Sequence, residues 1–188
     1  MLNWYPGLLL RSNPGLKLAN AFGVDHRMKT LYLLRHAKSS WGDATLADFD
    51  RPLNERGRRA AETIGKYLNA NSITPELILC STALRTRETL ALVTKAAELN
   101  TEVRYDQRIY EASSSRLAEV ISEIESDRNI VMLIGHNPGM EEILLLLTGI
   151  RQEMSTGTLA KIVFDTMSWT TVIEERGALE WIVSPRDL

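Results

Sequence analysis

The sequence predicts an α/β fold: a three-layer α/β/α sandwich whose central sheet is mostly parallel. Short apolar runs of strand length alternate along the chain with longer segments of helical period. Two of these runs, at 30–34 and 130–134, lead almost directly into a histidine. Alternating strands and helices favour a parallel sheet with helices on both faces.

The first half of the chain predicts three strands and two helices. After the strand at 30–34, a polar loop extends through Asp50. Pro52 and the polar cluster at 54–56 then introduce a helix that runs to about Leu68. The elements predicted after it are a strand at 77–80, a helix at 83–99 and an edge strand at 102–105.

The second half predicts two more helices and three more strands. Ser113 can cap a helix that continues through Ile124, and the strand at 130–134 precedes an apolar helix at 140–147. The last two strands are predicted at 159–165 and 178–183, as antiparallel neighbours.

Length and composition indicate one main domain, which we expect at residues 29–188. A chain of 188 residues with 44% hydrophobic residues can bury a substantial core. The formal net charge of −2 gives no overall attraction to nucleic acid or to an anionic membrane surface. No apolar stretch reaches the ~20 residues that span a bilayer. We therefore expect neither nucleic acid nor membrane as a partner.

Residues 1–28 are predicted to form a poorly ordered leader, because they show no sustained helical or strand period. The leucines at 8–10 are followed by Arg11 and lack a small-residue cleavage site, which argues against a secretory signal. An organelle transit segment and a start at Met28 stay open. The single cysteine, Cys80, cannot form an internal disulfide and suits a reducing compartment, so we expect a cytoplasmic protein.

Two strand ends carry the residues of a predicted ligand site. Arg35 and His36 directly follow the run at 30–34, and His136 comes just after the run at 130–134. Open α/β sheets bind their ligands at the carboxyl ends of the strands. We therefore expect these three side chains to share one site.

Four motifs of this sequence resemble those of the histidine phosphatase superfamily, in the order that the family uses. They are LRHAKSSW at 34–41, RPLNERG at 51–57, STALRTRET at 81–89 and GHNPG at 135–139. Ala37 stands where glycine is more frequent in the family. Over about residues 29–188 the chain is similar to the small SixA-like phosphohistidine phosphatase branch, including its SPRDL ending. The resemblance implies a phosphoglycerate mutase-like fold.

Position by position, the resemblance implies that His36 is the nucleophile and becomes phosphorylated, while Arg35, Arg85 and His136 hold the phosphoryl oxygens. Ser39 either donates to a phosphate oxygen or caps a turn. The chemistry requires such a set, because phosphoryl transfer needs an in-line nucleophile and convergent positive charge. Arginine is always charged, and a neutral imidazole can attack phosphorus and later leave. We therefore expect no metal and no other cofactor.

Two other classes of protein compete with this interpretation. A zinc hydrolase could use two histidines and a carboxylate, but the sequence has no His-Glu-x-x-His or paired-cysteine spacing, and two arginines would repel a dication. A noncatalytic phosphate-binding module would need the cations alone. The presence of His36 argues against it, because binding requires no nucleophile.

The general acid is the least defined part of the predicted site. Ester hydrolysis benefits from an acid that protonates the leaving oxygen. Glu111 is the nearest candidate by sequence region, although it could equally be a surface residue at the start of a helix, and Asp48 and Asp50 are weaker alternatives. A phosphorylated imidazole nitrogen is a good leaving group and relaxes this requirement, so the uncertain acid favours phosphohistidine.

The predicted function is hydrolysis of a phosphorylated substrate through phospho-His36. The predicted partner is a phosphorylated protein or, as the alternative, a small phosphorylated metabolite. Little chain between Arg85 and His136 remains for an inserted cap, which predicts a shallow, open pocket that favours a phosphorylated side chain on a protein. The sequence predicts no oligomeric state.

Overall fold

The computed structural model describes residues 28–188, so the predicted leader lies, apart from Met28, outside the described residues. The six strands are β1 (Lys29–Arg35), β2 (Leu77–Cys80), β3 (Glu102–Tyr105), β4 (Ile130–Gly135), β5 (Leu159–Phe164) and β6 (Ala178–Val183). The four α-helices of this region are α1 (Glu55–Ala70), α2 (Leu84–Ala96), α3 (Ser114–Ser122) and α4 (Gly139–Thr148). Short 3₁₀ helices occur at Asp48–Asp50, Gln107–Ile109 and Trp169–Thr171.

All six strands form one sheet in the order β3-β2-β4-β1-β5-β6. β3, β2, β4 and β1 pair in parallel, whereas β5 pairs antiparallel with β1 and β6 pairs antiparallel with β5. The predicted α/β fold with a mostly parallel sheet is therefore confirmed. β3 lies at one edge, and the last two strands are antiparallel neighbours, both as predicted.

The sheet separates two hydrophobic cores, because successive side chains of a strand point to opposite faces. Leu31 and Leu33 of β1 pack with residues of α3 and α4 on one face. Tyr32 and Leu34 pack with residues of α1 and α2 on the other. Each fully buried leucine contributes roughly 2 kcal/mol by its removal from water. β1 and β4, at the centre of the sheet, are therefore buried between the two cores.

The observed helix ends differ from the predicted ones for local reasons. α1 begins after Asn54, whose side chain caps the helix by accepting from the Gly57 N–H at 2.8 Å. α2 ends at Ala96 rather than Leu99, because Glu98 adopts a left-handed conformation with φ of 55°. Within the described range, no helix is long and apolar enough to cross a membrane.

Candidate active site

Three neighbouring strand ends meet at the carboxyl edge of the sheet. β2, β4 and β1 are adjacent, and the residues that follow them are Ser81, His136 and His36. The His36 N–H donates to the Gly135 carbonyl at 3.1 Å, and the Ser81 N–H donates to the Ile134 carbonyl at 3.1 Å. These backbone bonds extend the sheet register by one residue, so the three side chains emerge side by side.

His36 is buried, with 8% of its surface exposed, and is held in one tautomer. Its Nδ1 lies 2.7 Å from the Ala37 carbonyl oxygen. Because a carbonyl only accepts, Nδ1 carries the proton and donates, which leaves the lone pair on Nε2. Among the described residues Nε2 has no hydrogen-bond partner. His36 can therefore present a nucleophilic nitrogen.

The surroundings of His36 keep its imidazole neutral. Burial is the largest cause that lowers its pKa, from 6.5 to about 4, and the positive charges of Arg85, Arg35 and Arg51 lower it further. The hydrogen bond to Ala37 opposes this shift. At neutral pH the imidazole is thus uncharged and its Nε2 is unprotonated, as a nucleophile must be.

His136 faces His36 across the candidate site, and the two ring centroids are 5.0 Å apart. Nε2 of His136 lies 2.8 Å from the Ser81 hydroxyl oxygen, while its buried Nδ1 has no partner in the described part of the chain. Burial and the neighbouring His36 lower the pKa of His136 to about 3. The ring of Tyr110 packs edge-on against it at 5.5 Å.

Arg85 reaches the site from the first turn of α2 and is buried. Its Nη1 donates to the Asp48 backbone carbonyl at 2.5 Å, and its Nη2 donates to the Asp48 carboxylate at 2.8 Å. Its Cζ lies 5.8 Å from the centroid of the Tyr110 ring, which itself packs against His136. Its positive charge lowers the pKa of both site histidines.

Arg35 approaches the same two histidines from the end of β1, and its charge also lowers both of their pKa values. Its Nη1 donates to the Met154 carbonyl at 2.6 Å, and its buried Nε has no partner among the described residues. Burial lowers the pKa of Arg35, and Glu141 opposes that effect. The predicted set of Arg35, His36, Arg85 and His136 therefore converges, although the role of each remains a prediction.

Asp48 connects several groups at the rim of the site. Its carboxylate accepts from Arg85, from Nη1 of Arg51 at 2.7 Å and from the Tyr110 hydroxyl at 2.9 Å. Partial burial raises the pKa of Asp48, but the hydrogen bonds from Tyr110, Arg85 and Arg51 and the charge of Arg85 outweigh it, so that the pKa is lowered. Asp48 is thus held as a carboxylate, which suits an acceptor rather than a proton donor.

Arg51 is a site residue to which sequence reasoning assigned no role. Its Nη2 donates to the Ser39 hydroxyl oxygen at 2.7 Å, its Nε donates to the Ser40 carbonyl at 2.9 Å, and its Cζ lies 3.2 Å from the centroid of the Trp41 ring. Its place in the RPLNERG motif was the available signal. Ser39 is buried, and its oxygen accepts this hydrogen bond from Arg51. The sequence suggested a phosphate donor or a turn cap for Ser39, and not this contact. The hydroxyl hydrogen of Ser39 stays available.

Glu111 lies apart from the contacts that hold the site. Its side chain is exposed, its backbone φ is 49°, and it forms no hydrogen bond or ion pair with the described residues. Its charge acts on the neighbouring Tyr110, whose pKa is raised mainly by burial and by Asp48. A direct role for Glu111 remains a prediction, and Asp48 is the carboxylate that the structure brings against Arg85.

The arrangement combines a neutral imidazole with cationic donors, which is the chemistry that attack on a phosphoryl group requires. The described residues contain no group of three or more His, Cys, Asp or Glu side chains that could hold a metal ion.

Comparison with known sequences decides the family. The sequence model of the histidine phosphatase superfamily (branch 1) matches residues 31–129, more than half of the chain. The chain belongs to the histidine phosphatase superfamily. Of its two site histidines, the matched region contains His36 and also both arginines, whereas His136 follows it.

Relatives and solved structures agree with this membership. An uncharacterized chloroplastic protein of Arabidopsis thaliana is 32% identical over 170 residues, which cover 84% of this chain and 78% of the relative. A structure from Agrobacterium tumefaciens, provisionally named phosphohistidine phosphatase SixA, is 32% identical with a TM-score of 0.73, covering 84% of this chain and 98% of that one. A SixA structure from Nakamurella multipartitia with the same provisional name is 25% identical with a TM-score of 0.75, covering 84% and 96%.

Proposed function

We propose that this protein hydrolyses phosphohistidine on proteins through a covalent phosphohistidine on His36. The observation that carries the proposal is the state of His36. Its Nδ1–H donates to the Ala37 carbonyl, its Nε2 has no partner among the described residues, and the charges of Arg85 and Arg35 act on its ring. A phosphoryl group drawn in by the two arginines would meet a neutral, oriented nucleophile.

In the first step, Nε2 of His36 forms a bond to phosphorus while the phosphorus–nitrogen bond of the substrate breaks. The substrate imidazole, protonated by solvent on its other ring nitrogen, takes the bonding electron pair and leaves as neutral imidazole. In the second step, water attacks the phosphorus of phospho-His36, the bond to Nε2 breaks, and inorganic phosphate is released. Arg35, Arg85 and His136 would stabilise the charge on the equatorial oxygens in both steps.

The state of Asp48 favours a phosphoramidate over a phosphate ester. An ester oxygen leaves poorly unless an acid protonates it. Asp48 is held ionised by Tyr110, Arg85 and Arg51, and Glu111 makes no hydrogen bond with the described residues that would aim it into the site. An imidazole leaving group depends far less on such an acid. The provisional naming of two similar structures as phosphohistidine phosphatases supports the same substrate class.

We also propose that the reaction needs no metal, because Arg35 and Arg85 supply the positive charge that a dication would otherwise provide. Treatment with a chelator should leave turnover unchanged. Loss of turnover that added zinc restores would overturn this part of the proposal.

The function is tested by comparing a histidine-phosphorylated protein with a panel of sugar phosphates and other small phosphomonoesters under identical conditions. We expect the highest kcat/KM for the phosphohistidine protein. Quenching a brief reaction with labelled substrate should trap acid-labile phosphate on wild type but not on His36→Ala, whose turnover should fall by roughly 10³-fold or more. Preference for one small ester would instead establish a metabolite phosphatase, and undiminished turnover by the variant would exclude His36 as the nucleophile.

A further inference from the structure

A basic groove of about 220 Å³ lies beside the segment that carries His36. We use the name basic groove for the space lined by Lys38, Arg56, Arg59, Ser155, Thr156 and Arg186, together with Ala60, Thr63 and Pro185. None of the four cations hydrogen-bonds to Arg35, His36, Arg85 or His136 within the described structure. The groove is therefore a second feature, separate from the candidate phosphoryl site.

The fold connects the groove to the nucleophile through the backbone of residues 35–38. The Gly157 N–H donates to the carbonyls of both Arg35 and His36 at 3.1 Å, which fixes the turn that contains Ser155 and Thr156 against this segment. On the other side, α1 approaches so closely that a Cβ on Gly57 would lie 2.1 Å from the Lys38 carbonyl oxygen. Only glycine allows this approach.

The end of the chain completes the groove. Gly157 has a φ of 83°, and a Cβ at this position would lie 2.8 Å from Cγ of Pro185. This close packing brings Arg186 to the same space as Lys38 and Arg56. Three segments that are distant in sequence thus contribute positive charge to one surface next to His36.

Part of this charge is not neutralised by the described residues. All four cationic side chains are exposed, and Arg59 forms an ion pair with Glu55 at 3.2 Å. Lys38 and Arg56 form no ion pair or hydrogen bond through their side chains with the described residues. Asp187 partly offsets the charge of Arg186, because the pKa of its carboxyl is lowered by hydrogen bonds from Ser184 and by the charge of Arg186. The chain as a whole has a net charge of −2, so the groove is a local concentration of positive charge.

We propose that the basic groove binds acidic side chains of the phosphorylated protein, next to the phosphohistidine that enters the site. This inference rests on the proposed function. The cations lie at the exposed ends of long side chains from separate segments, and among the described residues that line the groove no polar side chain is buried to form a compact phosphate site. Such a surface can attract several carboxylates of one protein. The attraction would mainly speed the association of the substrate and lower KM.

The probe is a pair of phosphohistidine peptides of equal length, both phosphorylated chemically. One carries glutamates on either side of the histidine, and the other carries glutamines at the same positions. We expect the wild-type protein to give about tenfold higher kcat/KM for the glutamate peptide at low salt, through a lower KM. The preference should shrink as ionic strength rises above roughly 0.15 M, because salt screens exposed charges.

Charge reversal in the groove should remove this preference. We expect the double variant Lys38→Glu with Arg56→Glu, and separately the terminal variant Arg186→Glu, to raise KM for the glutamate peptide while leaving the glutamine peptide unchanged. Lys66→Glu is the matched control, because Lys66 is an exposed cation of the same helix α1 outside the groove. The control should keep the full preference.

Several results would overturn the groove assignment: no preference in wild type, an unchanged preference in both groove variants, or equal losses for both peptides. If wild type hydrolyses neither peptide, the proposed function fails instead. The groove is then tested by fluorescence anisotropy of the unphosphorylated labelled peptides on His36→Ala. Tighter binding of the glutamate peptide, lost in the groove variants, would support the groove independently, and equal binding would refute it.

Discussion

His36 and His136 follow adjacent parallel strands, and their rings lie 5.0 Å apart at an interplanar angle of 54°. Burial lowers the pKa of each histidine, and His36 lowers the pKa of His136 further. Two protonated imidazoles at this distance, next to Arg35 and Arg85, would repel one another. The site therefore keeps both rings neutral at physiological pH.

This pair predicts a pH dependence of stability. The pKa values in the folded protein, about 4 for His36 and about 3 for His136, lie below the ordinary value of 6.5. At a pH between these values and 6.5, the unfolded chain therefore binds more protons than the folded one. The stability that the two neutral histidines contribute is fully present above pH 6.5 and is lost as the pH falls towards the folded pKa values. We expect each histidine to account for a loss on the order of 2 kcal/mol by about pH 5. Urea unfolding at about pH 7.5 and about pH 5 measures it.

A variant isolates the histidines from the carboxylates that titrate nearby. His136→Gln should lose less stability than wild type between the same two pH values, whatever its stability at neutral pH. An identical loss in both proteins would show that His136 titrates normally in the folded state.

Ser81 is expected to position His136. Ser81→Ala removes the hydroxyl that lies 2.8 Å from His136 Nε2, which leaves both ring nitrogens without a partner among the described residues. We expect about 1–2 kcal/mol of destabilisation from the unsatisfied buried group. We also expect about a tenfold fall in kcat, with a changed imidazole NMR signal for His136.

Thr82→Ala is the matched control for Ser81→Ala. Thr82 is the next residue in the chain, and its buried hydroxyl has no hydrogen-bond partner in the described structure. Its removal should leave both kcat and the His136 signal near wild type. If the two variants lose activity equally, the Ser81 contact has no specific role.

Asp48 is expected to compete with an incoming oxyanion for Arg85. Its carboxylate already accepts from Arg85 Nη2 at 2.8 Å and from Arg51 Nη1 at 2.7 Å, the donors that an anion would use. Asp48→Asn should therefore bind inorganic phosphate about threefold to tenfold more tightly, because one negative charge is removed from the rim. Calorimetry or phosphate inhibition measures the change.

The neighbouring Asp50→Asn removes the same charge from an exposed side chain that contacts neither arginine. It should change phosphate affinity much less. Weaker phosphate binding by Asp48→Asn would mean that Asp48 orients Arg85 for the anion rather than competing with it.

Much of the fold could be predicted because each strand carried its own local signal. The runs at 77–80, 102–105 and 178–183 coincide with β2, β3 and β6, since apolar and β-branched residues between turn signals define short strands well. The 3₁₀ helix Asp48–Asp50 was missed in a region predicted only as a polar loop. Its conformation depends on contacts with Arg51 and Arg85, which no local pattern reveals.

The candidate site likewise contains residues that the sequence could predict and contacts that it could not. Arg35, His36 and His136 could be placed together because strand ends of a parallel sheet meet at one edge. The connections of Asp48 to Tyr110 and of Arg51 to Ser39 join loops that lie 62 and 12 residues apart. Neither follows from periodicity. Arg85 was found through a motif, whereas its partner Asp48 was considered only as a weaker acid.

The last prediction concerns Glu111 and separates the two substrate classes. Glu111 is exposed and makes no hydrogen bond or ion pair with the described residues, and a phosphoramidate leaving group needs little help from an acid. We expect Glu111→Gln to keep kcat/KM for a phosphohistidine protein within about threefold of wild type. For a small phosphomonoester the same variant should lose about 10²-fold only if Glu111 turns inward as a general acid. Measuring kcat/KM of the variant on both substrates decides the role of Glu111. A small loss on both would show that departure of the leaving group needs no proton from Glu111. A large and equal loss would make Glu111 an obligatory acid and contradict the expectation.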